Sequence, residues 1–186
     1  MEKIDTPIEG LFILRPRIFN DNRGSFYESY NKKTLESLGL NCEFVQDNQS
    51  ESSYGTLRGL HMQVGDAAQA KLVRVLQGRV YDVAVDLRPN SPTYGQHYGI
   101  ELSEENQIQF FIPRGFAHGF VVLSERASFF YKVDNYYCKD KEQGIIWNDP
   151  DLAIDWKIKP QDIVLSDKDK VLAPFKDIKD AKQLLF

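Results

Sequence analysis

Apolar residues in this chain come in short runs, each closed by Gly, Pro, Asn or Asp, which is the pattern of strands and tight turns. Strands are predicted over Leu11–Leu14, Ser25–Tyr30, Cys42–Gln46, Tyr98–Leu102, Gln107–Ile112, Gly119–Leu123 and Ser128–Asp134, and the segment carrying His61 reads as another. The clearest signal is Lys71 to Asp86, where two alternating runs flank Gln77-Gly78. It predicts a hairpin with a two-residue turn, Val75 opposite Val80 and Val73 opposite Asp82. Alternation puts Lys71, Val73, Val75, Val80, Asp82 and Ala84 on one face. Charges on an apolar inward face are costly unless paired, so Lys71 and Asp82 are expected to pair, in an interior that holds a ligand. One short helix is predicted at Lys32–Leu38, capped by Asn31 and closed by Gly39. A second is predicted from about Asp177 to Leu185, with Ile178, Ala181 and Leu185 on one face. Together these give an all-β fold, a barrel with a few short peripheral helices and room inside.

The 186 residues fit one domain spanning 1–186, and no repeat or Pro/Gly-rich linker divides them. A net charge of −4 gives no basis for binding nucleic acid or an anionic membrane. An anionic ligand would need a local cluster of Arg and Lys. The longest uncharged stretch with strong apolar residues, Gly115–Ser124, is far too short to span a bilayer. The opening Met1-Glu2-Lys3-Ile4-Asp5 is not that of a signal peptide, and Cys42 and Cys138 read as two reduced cysteines, so a cytoplasmic location is expected.

The chain has three histidines. His61 lies in Leu57-Arg-Gly-Leu-His61. Taken alone it reads as a half-buried strand histidine bonded to a carbonyl. Strict alternation would put Arg58 and His61 on opposite faces, but Gly59 between them can mark a bulge that turns both inward. His118 lies in Pro113-Arg-Gly-Phe-Ala-His118, a tight turn re-entering a strand, which points its ring into a barrel mouth. This Pro-x-Gly-x-x-His arrangement resembles the second motif of the cupin superfamily. Metal-binding cupins add His-x-His and a Glu. Here His61 is followed by Met62 and Gln63, a poor ligand set, so no metal and no cofactor are expected. His97 reads as a surface residue.

Nearly the whole chain resembles the dTDP-4-dehydrorhamnose 3,5-epimerase family, metal-free jelly-roll cupins that act on a nucleotide-linked keto sugar. The matching segments are Phe19 to Glu28, Phe44 to Asn48, Leu57 to His61, Lys71 to Arg74, Ile112 to Phe120, Tyr131, Asn135-Tyr-Tyr137, Ile146 to Asp149 and Leu165 to Asp169. The resemblance implies that His61 is a general base with Asp169, rather than Asp167, as its partner. It implies that Tyr131 is the general acid and that Lys71 faces the C4 carbonyl. Arg23, Gln46, Asn48 and Arg58 resemble residues that hold diphosphate and nucleoside. Phe19, Phe26, Glu28 and Tyr137 resemble those around the thymidine, some donated by the second subunit of a homodimer. Asp82, His118 and Trp147 are counted as further substrate contacts. Without the resemblance, Tyr131 reads as a strand aromatic beside Phe129, Trp147 as a plug, and Asp167 with Asp169 as a solvated turn. The rival readings are an epimerase acting at C3 or C5 alone, a ketoisomerase, and a non-catalytic sugar-nucleotide binding module.

Overall fold

A computed structural model describes residues 1–179. Its strands are β1 Glu2–Asp5, β2 Phe12–Arg15, β3 Phe19–Asp21, β4 Gly24–Phe26, β5 Gln46–Ser53, β6 Leu57–Gln63, β7 Lys71–Gln77, β8 Arg79–Asp86, β9 His97–Ser103, β10 Gln109–Ile112, β11 Phe116–Val122, β12 Arg126–Val133 and β13 Glu142–Gly144. Two antiparallel sheets face each other in the expected jelly roll. One has the order β1-β2-β10-β7-β12-β5, the other β13-β6-β11-β8-β9. Strands β3 and β4 form a separate exposed hairpin.

Between the sheets lies a core of Val73 and Val75 from β7, Val80 and Ala84 from β8, Phe110, Phe120 and Phe129. The outer face of the five-stranded sheet packs Leu57, Leu60, Met62, Val83 and Val85 against Trp156 and Phe175 of the C-terminal segment. The outer face of the other sheet packs Phe12, Leu14, Leu72 and Phe111 on Leu35 of helix α1, Lys32–Ser37. Asn31 caps α1 by accepting from the Thr34 amide. A second helix, α2, covers Phe175–Lys179; the remainder of the helix expected to Leu185 lies outside the described residues.

The β7–β8 hairpin is not formed. The two strands lie in different sheets, β7 between β10 and β12, β8 between β11 and β9. The chain turns from one sheet to the other at Gly78. Its φ is +78°, and a Cβ there would stand 2.0 Å from the Arg126 carbonyl oxygen, so only glycine fits. Alternation carries through this corner, so the face expected to be shared does point inward from both sheets. The Lys71–Asp82 ion pair is not formed either: the buried Asp82 carboxylate takes His118.

Two other strands differ from expectation. Of the Ser25–Tyr30 run only Ser25 and Phe26 are paired, in a strand that starts at Gly24. Cys42–Val45 form no strand, since Phe44 turns to pack edge-on against Tyr30 at the margin of the α1 cluster. The strand starts at Gln46 and continues to Ser53. His97 sits half-buried on β9 rather than on the surface.

Candidate active site

Strand β6 carries the local irregularity that the site needs. His118 of β11 pairs with His61, but Phe120 pairs with Arg58, so β6 has one residue more than its partner across this step. That is a bulge at Gly59. A Cβ on Gly59, at φ +130°, would lie 2.5 Å from Gly119 Cα. The two glycines let the strands touch. The extra residue resets the alternation: Leu57, Leu60 and Met62 point into the outer cluster, and Arg58 and His61 both line the cavity between the sheets.

This cavity measures about 410 Å³ and is lined by Arg58, His61, Lys71, His118, Tyr131 and Asp169, among others. A second lobe of about 290 Å³ shares His61, Lys71, Tyr131 and Asn48 and adds Gln46, Tyr137 and Glu142. Both sizes fall near the range of sites that enclose small organic ligands.

His61 Nε2 stands 2.5 Å from Asp169 Oδ1. Burial works to raise the Asp169 carboxyl, but the contacts from His61, Ser166 and the Gly59 backbone outweigh it and hold it below the usual range. An ionised Asp169 accepting from Nε2–H leaves the lone pair on His61 Nδ1. Of the two aspartates in Ser166-Asp-Lys-Asp169, Asp167 points to solvent and pairs with Lys170.

Lys71 opens β7 on the facing sheet. Burial pushes its ammonium down to about 8, against the pull of Asp82 and Glu142. Tyr131 of β12 stands in the same sheet, in register with Val73 and with Asn48 of β5. Burial raises its phenol, opposed by Arg58. His118 Nε2 lies 2.9 Å from each Asp82 oxygen, and burial keeps the imidazole below its usual pKa despite that carboxylate. Asp82 does not line the cavity itself and bears on it through His118 and through its charge near Lys71.

Gln46 donates to Asn48 Oδ1 at 2.9 Å, and Tyr137 donates to Glu142 Oε2 at 2.8 Å. Lys168 meets the same Glu142 oxygen at 2.5 Å. Glu142 and Lys168 were missed by sequence reasoning as site residues. Lys168 lies inside the Leu165 to Asp169 segment, but nothing in the sequence around Glu142 marks it. Besides Asp82, five expected residues are not brought to the cavity of this chain. Phe19, Arg23 and Phe26 sit on the exposed β3–β4 hairpin, with Arg23 bonded to Asp21. Glu28 accepts from Asn31 and Thr34 at the start of α1. Trp147 packs in the outer cluster, its carbonyl accepting from Trp156.

The barrel thus encloses a histidine on one sheet, paired with an aspartate from the C-terminal segment beside it, and a phenol and an ammonium on the other sheet, the equipment of a cupin-type acid–base enzyme. A family profile described as dTDP-4-dehydrorhamnose 3,5-epimerase matches residues 5–177. The Escherichia coli (strain K12) enzyme of that name is 53% identical over 173 residues, covering 92% of this chain and 93% of its own. The crystal structure of the dTDP-4-dehydrorhamnose 3,5-epimerase from Elizabethkingia anophelis is 60% identical with a TM-score of 0.92, covering 95% of this chain and 97% of that one. A Legionella pneumophila epimerase solved in complex with dTDP-4-keto-L-rhamnose is 50% identical with a TM-score of 0.92, covering 98% and 96%. The chain belongs to the dTDP-4-dehydrorhamnose 3,5-epimerase family.

Proposed function

We propose that this protein inverts C3 and C5 of dTDP-4-dehydro-6-deoxy-D-glucose to give dTDP-4-dehydro-L-rhamnose, and that it does so as a cytoplasmic homodimer. The observation that carries the reading is the placement of His61 and Tyr131 on facing sheets with one cavity between them. Inversion needs a base on one side of a carbon and an acid on the other.

His61 Nδ1 takes the proton from the carbon beside the ketone, and the C–H electron pair moves into an enolate whose charge rests on O4. The Lys71 ammonium faces that oxygen; one preorganised donor at such a site is typically worth about 3–4 kcal/mol. Asp169 holds the tautomer and stabilises the imidazolium. Tyr131 gives its proton to the opposite face of the carbon, the ketone re-forms, and exchange with solvent resets the phenol and the imidazole. The same cycle serves either carbon next to C4. Arg58 and Lys168 supply the local positive charge that a diphosphate needs on a chain of net charge −4.

The test is incubation with the keto sugar in D₂O, with the deuterium located by NMR. Incorporation and inversion at both carbons is the expected result. Inversion at one carbon alone identifies a monoepimerase, and no incorporation identifies a binding module.

A further inference from the structure

Asp169 is the member of the His61 pair that no strand carries. It opens a short turn, Asp169–Val171, within residues 164–173, a segment that lies beside β6. Both ends of the segment are tied down by backbone. The Val164 amide donates to the Gly55 carbonyl and the Val164 carbonyl accepts from Leu57, each at 2.9 Å. At the other end the Ala173 carbonyl accepts from the Ile146 amide at 2.9 Å. These ties hold the segment whatever side chain stands at position 166. They leave open where the Asp169 carboxylate points.

Ser166 settles that. Its Oγ accepts from the Asp169 amide at 3.1 Å, and its carbonyl accepts from the Asp169 and Lys170 amides at 3.1 Å and 3.2 Å. The Ser166 hydroxyl also lies against the Asp169 carboxylate and, with His61 and the Gly59 amide, holds it ionised against burial. Asp169 is only 3% exposed, so little water stands ready to replace a lost donor. We propose that Ser166 is a positioning residue of the reaction: it holds Asp169 at both its amide and its carboxylate, and through Asp169 it fixes the tautomer and tilt of the His61 imidazole. This rests on the acid–base reading above. With the carboxylate fixed, His61 Nε2–H has one place to donate and Nδ1 faces the cavity. A carboxylate free to turn lets the imidazole tilt, and a misplacement of about 1 Å at a reacting group can cost about 10²-fold. Ser166 also lines the cavity, so a direct contact with substrate is the rival that the test has to separate.

The test is the rate of deuterium wash-in, resolved into kcat and KM, with dTDP affinity measured beside it. The proteins are wild type, Ser166→Ala, Ser166→Thr, Asp169→Asn and the double variant Ser166→Ala with Asp169→Asn. Ser166→Ala is expected to lower kcat about tenfold, with KM and dTDP affinity held. Ser166→Thr keeps the hydroxyl at an exposed position with room for the methyl, and should restore most of the rate. In the Asp169→Asn background the Ser166→Ala change should cost less than about twofold, because a residue that acts through another loses its effect when that other is gone. An unchanged kcat in Ser166→Ala overturns the proposal, and so does a raised KM at constant kcat, which marks a substrate contact. A Thr variant as slow as the Ala variant overturns it, as does an equal cost of Ser166→Ala in both backgrounds. Loss of dTDP binding by Ser166→Ala would show a structural role and overturn it too. Absence of wash-in by wild type overturns the epimerase reading and the proposal with it.

Discussion

His61 and His118 stand directly across from each other on neighbouring strands, and each has its own carboxylate. Their surroundings separate them. The His61 side chain is 26% exposed, on the open side of the cavity, whereas His118 is 8% exposed with Asp82 wholly buried behind it. The first pair can take a proton and pass it to solvent. The second is a fixed part of the wall.

His61→Asn is expected to lower proton removal at both carbons by roughly 10²–10⁴-fold, the usual contribution of a positioned base. Binding of dTDP should be unchanged. Asp169→Asn should fall in the same direction but less far, since the imidazole remains. The readout is deuterium wash-in. If His61→Asn exchanged substrate protons at the wild-type rate, His118 or water would have to be the base.

Activity is expected to survive exhaustive chelation and not to rise on adding divalent ions. Both cavity histidines already give a ring nitrogen to a carboxylate, and the residues after His61 are Met62 and Gln63. Loss of activity in chelator, restored by one metal, would show a metal role that these side chains do not suggest.

Lys71 gives a pH dependence with a definite sign. Its ammonium has been pushed from 10.5 to about 8 by burial, so the charge that steadies the enolate is present below that pH and lost above it. The rate should therefore decline as pH rises through about 8. Lys71→Met should cost about 10²–10³-fold, as for one lost oxyanion donor. Stability moves the other way. Between about 8 and 10.5 the unfolded chain binds the Lys71 proton more readily than the folded one, so this lysine destabilises at pH 7 and the penalty fades across that window. Lys71→Met should melt several degrees higher than wild type at pH 7, with the gap narrowing by pH 10. An unchanged or lower melting temperature at pH 7 would mean that the ammonium is well solvated in the cavity.

Much of the site was legible because its residues lie in short local motifs whose geometry the backbone fixes. Gly59 between Arg58 and His61 was enough to predict the bulge. The inward face of β7 and β8 was legible too, since alternation survives the corner at Gly78, although the hairpin was wrong. A Gln-Gly pair flanked by alternating apolar residues makes a hairpin in an isolated ribbon. Here β10 and β12 took both edges of β7. Strand β5 was largely illegible because Gln46–Ser53 has no apolar face: one side lines the cavity and the other is exposed. Glu142 was missed for the same kind of reason. Its role comes from β13 lying beside β6, a contact between residues far apart in the chain.

The β3–β4 hairpin gives the fourth prediction. Phe19, Phe26 and Arg23 are exposed on it, away from this chain's own cavity. Two exposed phenylalanines beside an arginine suit a partner subunit's site, and two-fold dimers are the commonest assembly. A mixture of Arg23→Ala and His61→Ala chains should recover up to about a quarter of wild-type activity per site if each site draws Arg23 from one chain and His61 from the other. Each variant alone should be poorly active. No recovery after subunit exchange would return the hairpin to a surface feature of the monomer.

Tyr131 carries the last prediction. If His61 on β6 removes the proton, the new one must arrive from the facing sheet, and Tyr131 is the phenol on that side of the cavity. Burial holds its pKa above the ordinary value of 10.0, so it is protonated at pH 7 and throughout the range in which Lys71 is charged. An enolate is basic enough to take that proton. Tyr131→Phe removes the hydroxyl and keeps the ring packed beside Phe129, so the variant should fold and bind dTDP as wild type does. Proton removal by His61 should continue. What fails is delivery from the far side: His61 returns deuterium to the face it left, and exchange without inversion dominates at one or both carbons, chiefly C5. In D₂O the variant should therefore yield labelled starting sugar in excess of epimerised product. Inversion of both centres at the wild-type rate would make Tyr131 a packing residue and pass the acid role to water or to another side chain.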